Sequence, residues 1–322
     1  PYDNCDGNDA NGCETDLTQS GSHCGSCDFS CEGGACANGC LPAKIALGEL
    51  GPMGIVVEKD TLYWTTSDGG ELRRSDVQAG GPSTLMAHDK GMNELALGGG
   101  YLLWNNVSTG DLVTMDMLGM SAQSVDGGMD QPGGISSDGQ HAFYVEHGSG
   151  SGTVRRVPVA GGDNDLLLQG EEDPTDIAVL QGLIFWTNSA SGEVARATTT
   201  GQDRMSLDRA GGTQPFSIAV HGTSVYWTVL DAGWIRRTNI SGSMTPVTLA
   251  DNQSQPRALL VDSAYLYWAT SDRIMRLALP NGPPETLASN RNHHPSHMTM
   301  DATRIYWTEN QGGGVWKLVK PA

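Results

Sequence analysis

Apolar positions in this chain come in short runs divided by polar turns that often contain glycine, and the runs recur. An aromatic pair or its equivalent returns seven times: Tyr63-Trp64, Leu103-Trp104, Phe143-Tyr144, Phe185-Trp186, Tyr226-Trp227, Tyr267-Trp268 and Tyr306-Trp307. Their second members lie 40, 40, 42, 41, 41 and 39 residues apart. A short apolar run precedes each pair, as in Gly54-Ile55-Val56-Val57. An alternating segment follows, such as Glu71-Leu72-Arg73-Arg74, and then a fourth run such as Thr84-Leu85-Met86-Ala87. Alternation with period two predicts strands, and the 3.6-residue stripes of helical repeats are missing. Four short strands per repeat of this length is the period of a β-propeller blade.

The ends of the array predict how the ring closes. The seventh repeat supplies three strands, the last at Gly314–Val319, and an orphan of the fourth type, Lys44–Leu47, precedes the first repeat. Pairing the orphan with the strand around Val315–Leu318 completes seven four-stranded blades and removes an exposed sheet edge. The expected fold is therefore all-β: a seven-bladed propeller over residues 44–322, closed by an N-terminal strand and preceded by a small disulfide-rich arm over residues 1–43. On this reading the closure draws nothing from the arm.

All seven cysteines, Cys5, Cys13, Cys24, Cys27, Cys31, Cys36 and Cys40, fall within the arm. So short a segment cannot bury a sufficient core and needs staples. Seven cysteines beside a cysteine-free body point to disulfides formed outside the cytoplasm. The competing reading is zinc held at the Cys24-Gly-Ser-Cys27 knuckle, although no second C-x₂-C exists. Three internal bonds leave one sulfur for an upstream partner, another chain or a free thiol, and spacing does not give the pairing. The chain opens at Pro1-Tyr2-Asp3 without a leader pattern, as a processed or truncated start would.

Charge narrows the range of partners. The formal net charge is −18, of which the arm carries −7 through five Asp and two Glu without Lys or Arg. That excludes binding to phosphate backbones as a main role and disfavours anionic membrane surfaces. No apolar run of about 18 residues is present, so no transmembrane segment is expected. Gly accounts for 43 residues and charged types for only 17%, in keeping with many turns. Within the arm, Asp3, Asp6, Asn8, Asp9, Asn11 and Asp16 place oxygen ligands at short intervals on a glycine-punctuated loop, which suits Ca²⁺. The same pattern also describes a solvated run of Asx turns.

The body resembles the YWTD-repeat propellers of lipoprotein-receptor type over residues 44–322, on Tyr63-Trp64-Thr65-Thr66, Phe185-Trp186-Thr187-Asn188, Tyr226-Trp227-Thr228-Val229 and Tyr306-Trp307-Thr308-Glu309. The fourth motif position is never Asp, and the receptor propellers have six blades where seven are counted here. The resemblance thus implies blade architecture and no receptor-type ligand. The acidic loop is loosely similar to thrombospondin type 3 calcium loops. The whole arm looks like cysteine-rich segments of secreted and surface proteins in myxobacteria and related bacteria.

Trp64 and its equivalents are expected to fill space between blades. A cation recurs on the third strand at Arg74, Arg156, Arg196, Arg237, Arg276 and Lys317, with Thr114 as an interruption. That regularity predicts a repeated bond within or between blades. Function is expected on the face where the loops entering the innermost strands converge, marked by Pro52, Pro132, Pro174, Pro215, Pro256 and Pro295. The candidate ligand-binding residues there are Met53, Asp176, Phe216, Arg257 and His297, with Met92-Asn93-Glu94 in the second blade. His293, His294 and His297 form a cluster expected to face solvent, and candidate acids are Asp68, Glu146, Asp176, Asp231 and Glu309. Sequence signatures of nucleophile elbows, phosphate loops and dinucleotide folds are missing. The expected function is that of a non-enzymatic extracellular structural or adhesive protein: a rigid bead whose arm contacts a second copy, other surface proteins or glycans, and assembles head to tail. The alternatives are a propeller enzyme acting on an extracellular glycan or lactone, and a small-ligand-binding propeller.

Overall fold

The computed structural model describes residues 2–3, 15–16, 18–19, 24, 30–32, 35–36, 40–77, 83–118, 121–148, 151–210, 213–289 and 295–321. Within them every regular element is a strand, and no helix is long and apolar enough to cross a membrane. Seven antiparallel four-stranded sheets form the body, and in each the first strand of the repeat is an edge. The innermost strands are Pro52–Glu58, Met92–Gly98, Pro132–Ser137, Pro174–Leu180, Pro215–His221, Leu259–Val261 and Pro295–Met300. The seventh blade takes its outer strand from Ala43–Leu47, which pairs antiparallel with Gly314–Val319 in the register Ala43↔Lys317, Lys44↔Trp316, Ala46↔Val315, Leu47↔Gly314. The predicted closure is thus observed.

The aromatic pairs follow from strand geometry. Neighbouring residues of a strand point to opposite faces, and both faces of a blade abut other blades. Tyr63 packs among Met92, Leu95 and Trp104 of blade 2, whereas Trp64 packs with Tyr306 and Val315 of blade 7. Each pair therefore supplies one side chain to each of two seams, a ring in every case but Leu103, and six Trp side chains are fully buried there.

Four of the six third-strand cations share a bond, which Arg74, an exposed side chain, and Arg196, whose Nε is buried without a partner, do not make. Arg156 Nη1 donates to the carbonyl of Thr199 at 3.0 Å, Arg237 Nη1 to Pro280 at 3.2 Å, Arg276 Nη1 to Pro321 at 3.1 Å, and Lys317 Nζ to Val77 at 2.8 Å. Each acceptor follows the third strand of the next blade. Thr114, expected as an interruption, donates its hydroxyl to Val159 in the equivalent place at 2.9 Å. What repeats is a donor that reaches that carbonyl, and its charge is incidental.

In the arm, Cys24 bonds Cys36 and Cys31 bonds Cys40. Cys5, Cys13 and Cys27 lie outside the described residues. The two disulfides mark a non-cytoplasmic protein. One expectation is corrected here, since the arm does contribute to the closed ring. Glu32 binds Arg304 of blade 7, and Cys40 packs against the core between blades 6 and 7.

Candidate functional site at the channel mouth

The innermost strands share an irregularity that sets the site. Six of the seven skip register between the entering residue and a residue three further on: Pro52/Ile55, Met92/Leu95, Pro132/Ile135, Pro174/Ile177, Pro215/Ile218 and Pro295/Met298. Two residues per blade bulge where the strand enters the ring, and a bulge re-aims side chains. The second of these, with Ala258 before Leu259 in blade 6, gives one position per blade in ring order: Gly54, Glu94, Gly134, Asp176, Ser217, Ala258 and His297.

The third motif residue fixes these bulges. Thr65 Oγ1 donates to the carbonyl of Asn93 at 2.7 Å, Asn105 Nδ2 to Gly133 at 2.6 Å, Thr187 Oγ1 to Phe216 at 2.9 Å and Thr308 Oγ1 to Met53 at 2.7 Å. Each bond crosses to the first bulge residue of the next blade. In return the bulge N–H groups of Glu94, Asp176 and Ser217 donate to Asn105 Oδ1, Thr187 Oγ1 and Thr228 Oγ1 of their own blades, at 3.0–3.1 Å. This accounts for Thr in the aromatic-aromatic-Thr motif, because a hydroxyl accepts and donates at once.

A cavity of about 270 Å³ opens at this level, lined among others by Glu94, Thr175, Asp176, Phe216, Ser217 and His297. His297 Nε2 lies 2.7 Å from Glu94 Oε1. The contact runs from blade 7 to blade 2, and blade 1 contributes only Gly54 to the ring between them. The side chain of His297 is 21% exposed, so it does not face solvent as expected from sequence. Its Nδ1 is buried without a partner. Burial opposes the imidazolium, but the charge of Glu94, its hydrogen bond and the charge of Asp176 together hold the pKa above its ordinary value. Asp176 Oδ2 accepts from Ser217 Oγ at 3.0 Å and the Ile218 N–H at 2.9 Å, and Oδ1 accepts from the Ile177 N–H at 2.8 Å. Burial, reinforced by the Glu94 charge, nevertheless pushes the Asp176 carboxyl up to about 6. Gly134 has a steric reason, since a Cβ there would run into Asp176 Oδ1.

The structure gathers most of the candidates from sequence. Asp176, Phe216 and His297 line one cavity, and Arg257 lies over the Phe216 ring at 5.3 Å. Met53 is not in the lining, and its carbonyl serves the bond from Thr308. Of the other candidate acids, Glu309 is buried against the Trp307 indole N–H, Glu146 accepts from Thr153 and Asp231 caps the Gln214 N–H. Asp68 lies beside Ser67 and Gly51. His293, His294, Asp6, Asn8, Asp9 and Asn11 lie outside the described residues. Asp3 and Asp16 are placed through their backbone only, in a short pairing of Tyr2–Asp3 with Thr15–Asp16. Among the described residues, the one metal-compatible group is Cys24, Cys31 and Cys40, whose sulfurs are already in disulfides. Sequence reading named Glu94 only in passing and missed the ring of bulge positions. The skipped register is a property of strand pairing, which spacing along one chain does not display.

No family model matches the chain, and no curated protein matches it in sequence. Its shape is widely shared. A catalytically inactive virginiamycin B lyase of Staphylococcus aureus, solved with quinupristin, superposes with a TM-score of 0.74 at 16% identity, over 87% of this chain and 99% of that one. An oligogalacturonate lyase in complex with manganese gives a TM-score of 0.64 at 12% identity, over 81% and 86%. A chain of a nidogen–laminin complex gives 0.52 at 16%, over 61% and 79%. At these identities the similarity is one of fold.

Proposed function

We propose that this protein is a ligand-binding propeller of the extracellular space or cell surface, and that it captures a small cationic molecule, such as an amine or amino sugar, at the mouth of its axial channel. The observation that carries this reading is the ring of bulge positions. Three ionisable side chains from blades 2, 4 and 7 converge on one cavity, while the other four ring positions hold only Gly, Ser or Ala. Glu94 is matched by His297, whereas Asp176 has no ion-pair partner among the described residues. A cationic ligand would thus meet the Asp176 carboxylate, with Arg257 outside the lining over Phe216, and hydroxyls of Thr175, Ser217 and Ser296 suit a polar ligand. The scaffold type is compatible with a small ligand, as virginiamycin B lyase was solved with quinupristin. A thermal-shift screen of small amines, amino sugars and neutral sugars tests the reading. A binder at about 100 times its Kd should stabilise the chain by about 2.7 kcal/mol. The shift should vanish in Asp176→Ala and in Glu94→Ala. Failure of every cationic compound, or a shift that survives both changes, would rule the reading out.

A second reading, the structural or adhesive bead, draws support from the arm. The described part of the arm is anchored on blade 7 of its own chain, so contacts made by residues nearer the N-terminus would be passed to a rigid ring. On this reading the acidic loop takes up Ca²⁺ and joins one propeller to the next. Electron microscopy of unreduced protein with Ca²⁺ separates the cases: strings of beads support assembly, and monodisperse single rings exclude it.

A further inference from the structure

The joint between the last and first blades contains charged groups that the blade repeat does not explain. Glu32 follows Cys31 in a left-handed backbone conformation, φ 47°, which a residue with a Cβ adopts only at a cost. Its carboxylate receives Nε and Nη2 of Arg304, the latter at 2.7 Å, and lies 3.8 Å from Lys317 Nζ. The Arg304 and Lys317 side chains are only 8% and 9% exposed. Lys317 makes the inter-blade bond to Val77, so the cation that ties blade 7 to blade 1 has its counter-charge on the arm. Burial lowers the pKa of Lys317, and the Glu32 charge works against that. The position of Glu32 is in turn fixed covalently, because Cys31 is bonded to Cys40, and the chain enters the closing strand at Ala43.

We propose that the Cys31–Cys40 disulfide is a thiol-sensitive latch on the ring: it holds Glu32 against Arg304 and Lys317, and its reduction loosens the closing strand and the last blade ahead of the rest of the propeller. The reductant is an external dithiol. One of its thiolates attacks a sulfur of the bridge to give a mixed disulfide, and its second thiol displaces that bond. Two electrons and two protons pass to Cys31 and Cys40, which end as thiols, and the dithiol ends as a cyclic disulfide. Without the covalent tie Glu32 is free to return to water. Arg304 keeps Asp301 at 3.0 Å, but Lys317 loses its one ion-pair partner among the described residues, and a buried cation left without a partner is strongly disfavoured.

Hydrogen–deuterium exchange on the full chain, oxidised and in dithiothreitol with thiols counted in parallel, tests this. Exchange should rise roughly tenfold in Ala43–Leu47 and Gly314–Val319 on reduction, with blades 3 to 5 unchanged. Glu32→Gln, with both disulfides intact, should raise exchange in the same two strands. Unchanged exchange there once Cys31 and Cys40 are reduced would overturn the latch, as would unchanged exchange in Glu32→Gln. A uniform rise around the whole ring would overturn it as well, since that reports general destabilisation.

Discussion

The two ends of the channel use the same repeat in opposite ways. On the face where third strands end, different side chains make one bond: Arg156, Arg237, Arg276, Lys317 and Thr114 all donate to the carbonyl after the next blade's third strand. On the face where innermost strands begin, one backbone device, a bulge pinned by a Thr or Asn of the second strand, presents a different side chain in nearly every blade. Where chemistry converges on one contact the role is architectural. Where constant geometry carries varied chemistry, the repeat frees seven positions to differ, and a ring of differing side chains is what an asymmetric ligand requires.

The sharpest way to break the comparison is to attack what both faces depend on. Trp104 is fully buried between blades 1 and 2, with its indole N–H on Asp89 at 3.2 Å. Trp104→Ala should cost about 3–5 kcal/mol in urea unfolding. His297→Ala, at the channel mouth, should cost far less and act on ligand binding instead. Equal losses of stability would show that the channel mouth is as architectural as the seams.

The next effect isolates the architectural face. Thr114→Val keeps the shape but leaves the Val159 carbonyl without its buried donor, which should cost about 1–3 kcal/mol. Ligand binding at the opposite mouth should be unaffected. A loss of binding in this variant would mean that the two faces are coupled through blade 2.

How far the sequence discloses these features depends on their range. Blade number, strand order and the closing strand are legible, because they rest on local alternation and on a period that the aromatic pairs print along the chain. The inter-blade bond is half legible: Arg and Lys at a fixed place announce it, but Thr114 makes it without announcing anything. Asp176, Phe216 and His297 could be assigned to one face by the proline marks before them. Their mutual geometry could not, since Glu94 and His297 are 203 residues apart and meet across blade 1, whose ring position is Gly54, too close to Asn93 and Leu95 to carry a Cβ. The Glu32–Arg304 contact, across 272 residues, is likewise a product of ring closure.

The smallest effect concerns the carboxyl at the ring's centre and its dependence on pH. Burial raises the Asp176 pKa from the ordinary 3.8 to about 6, so between those values the folded chain binds a proton that the unfolded chain has released. Folding is then favoured at the acid end of this window, and Asp176 lowers stability progressively as pH rises through it. Asn cannot ionise and carries no such cost. Asp176→Asn should therefore match the wild type near pH 4 and exceed it above pH 6, by about 1 kcal/mol once partial exposure to the channel water is allowed for. His297 acts in the same direction higher up: its raised pKa gives stability that is complete below about 6.5 and lost as pH climbs through the folded value. Paired urea titrations of wild type and Asp176→Asn at pH 4, 6 and 8 read the Asp176 contribution together with its share of the His297 shift, whereas Glu171 and Glu193, whose lowered pKa values act at more acidic pH, are common to both. A variant that is less stable than wild type at pH 8 would show that the Ser217 and Ile218 hydrogen bonds to the carboxylate outweigh its burial. Asp176 would then act as part of the repeated architecture and not of the ligand ring.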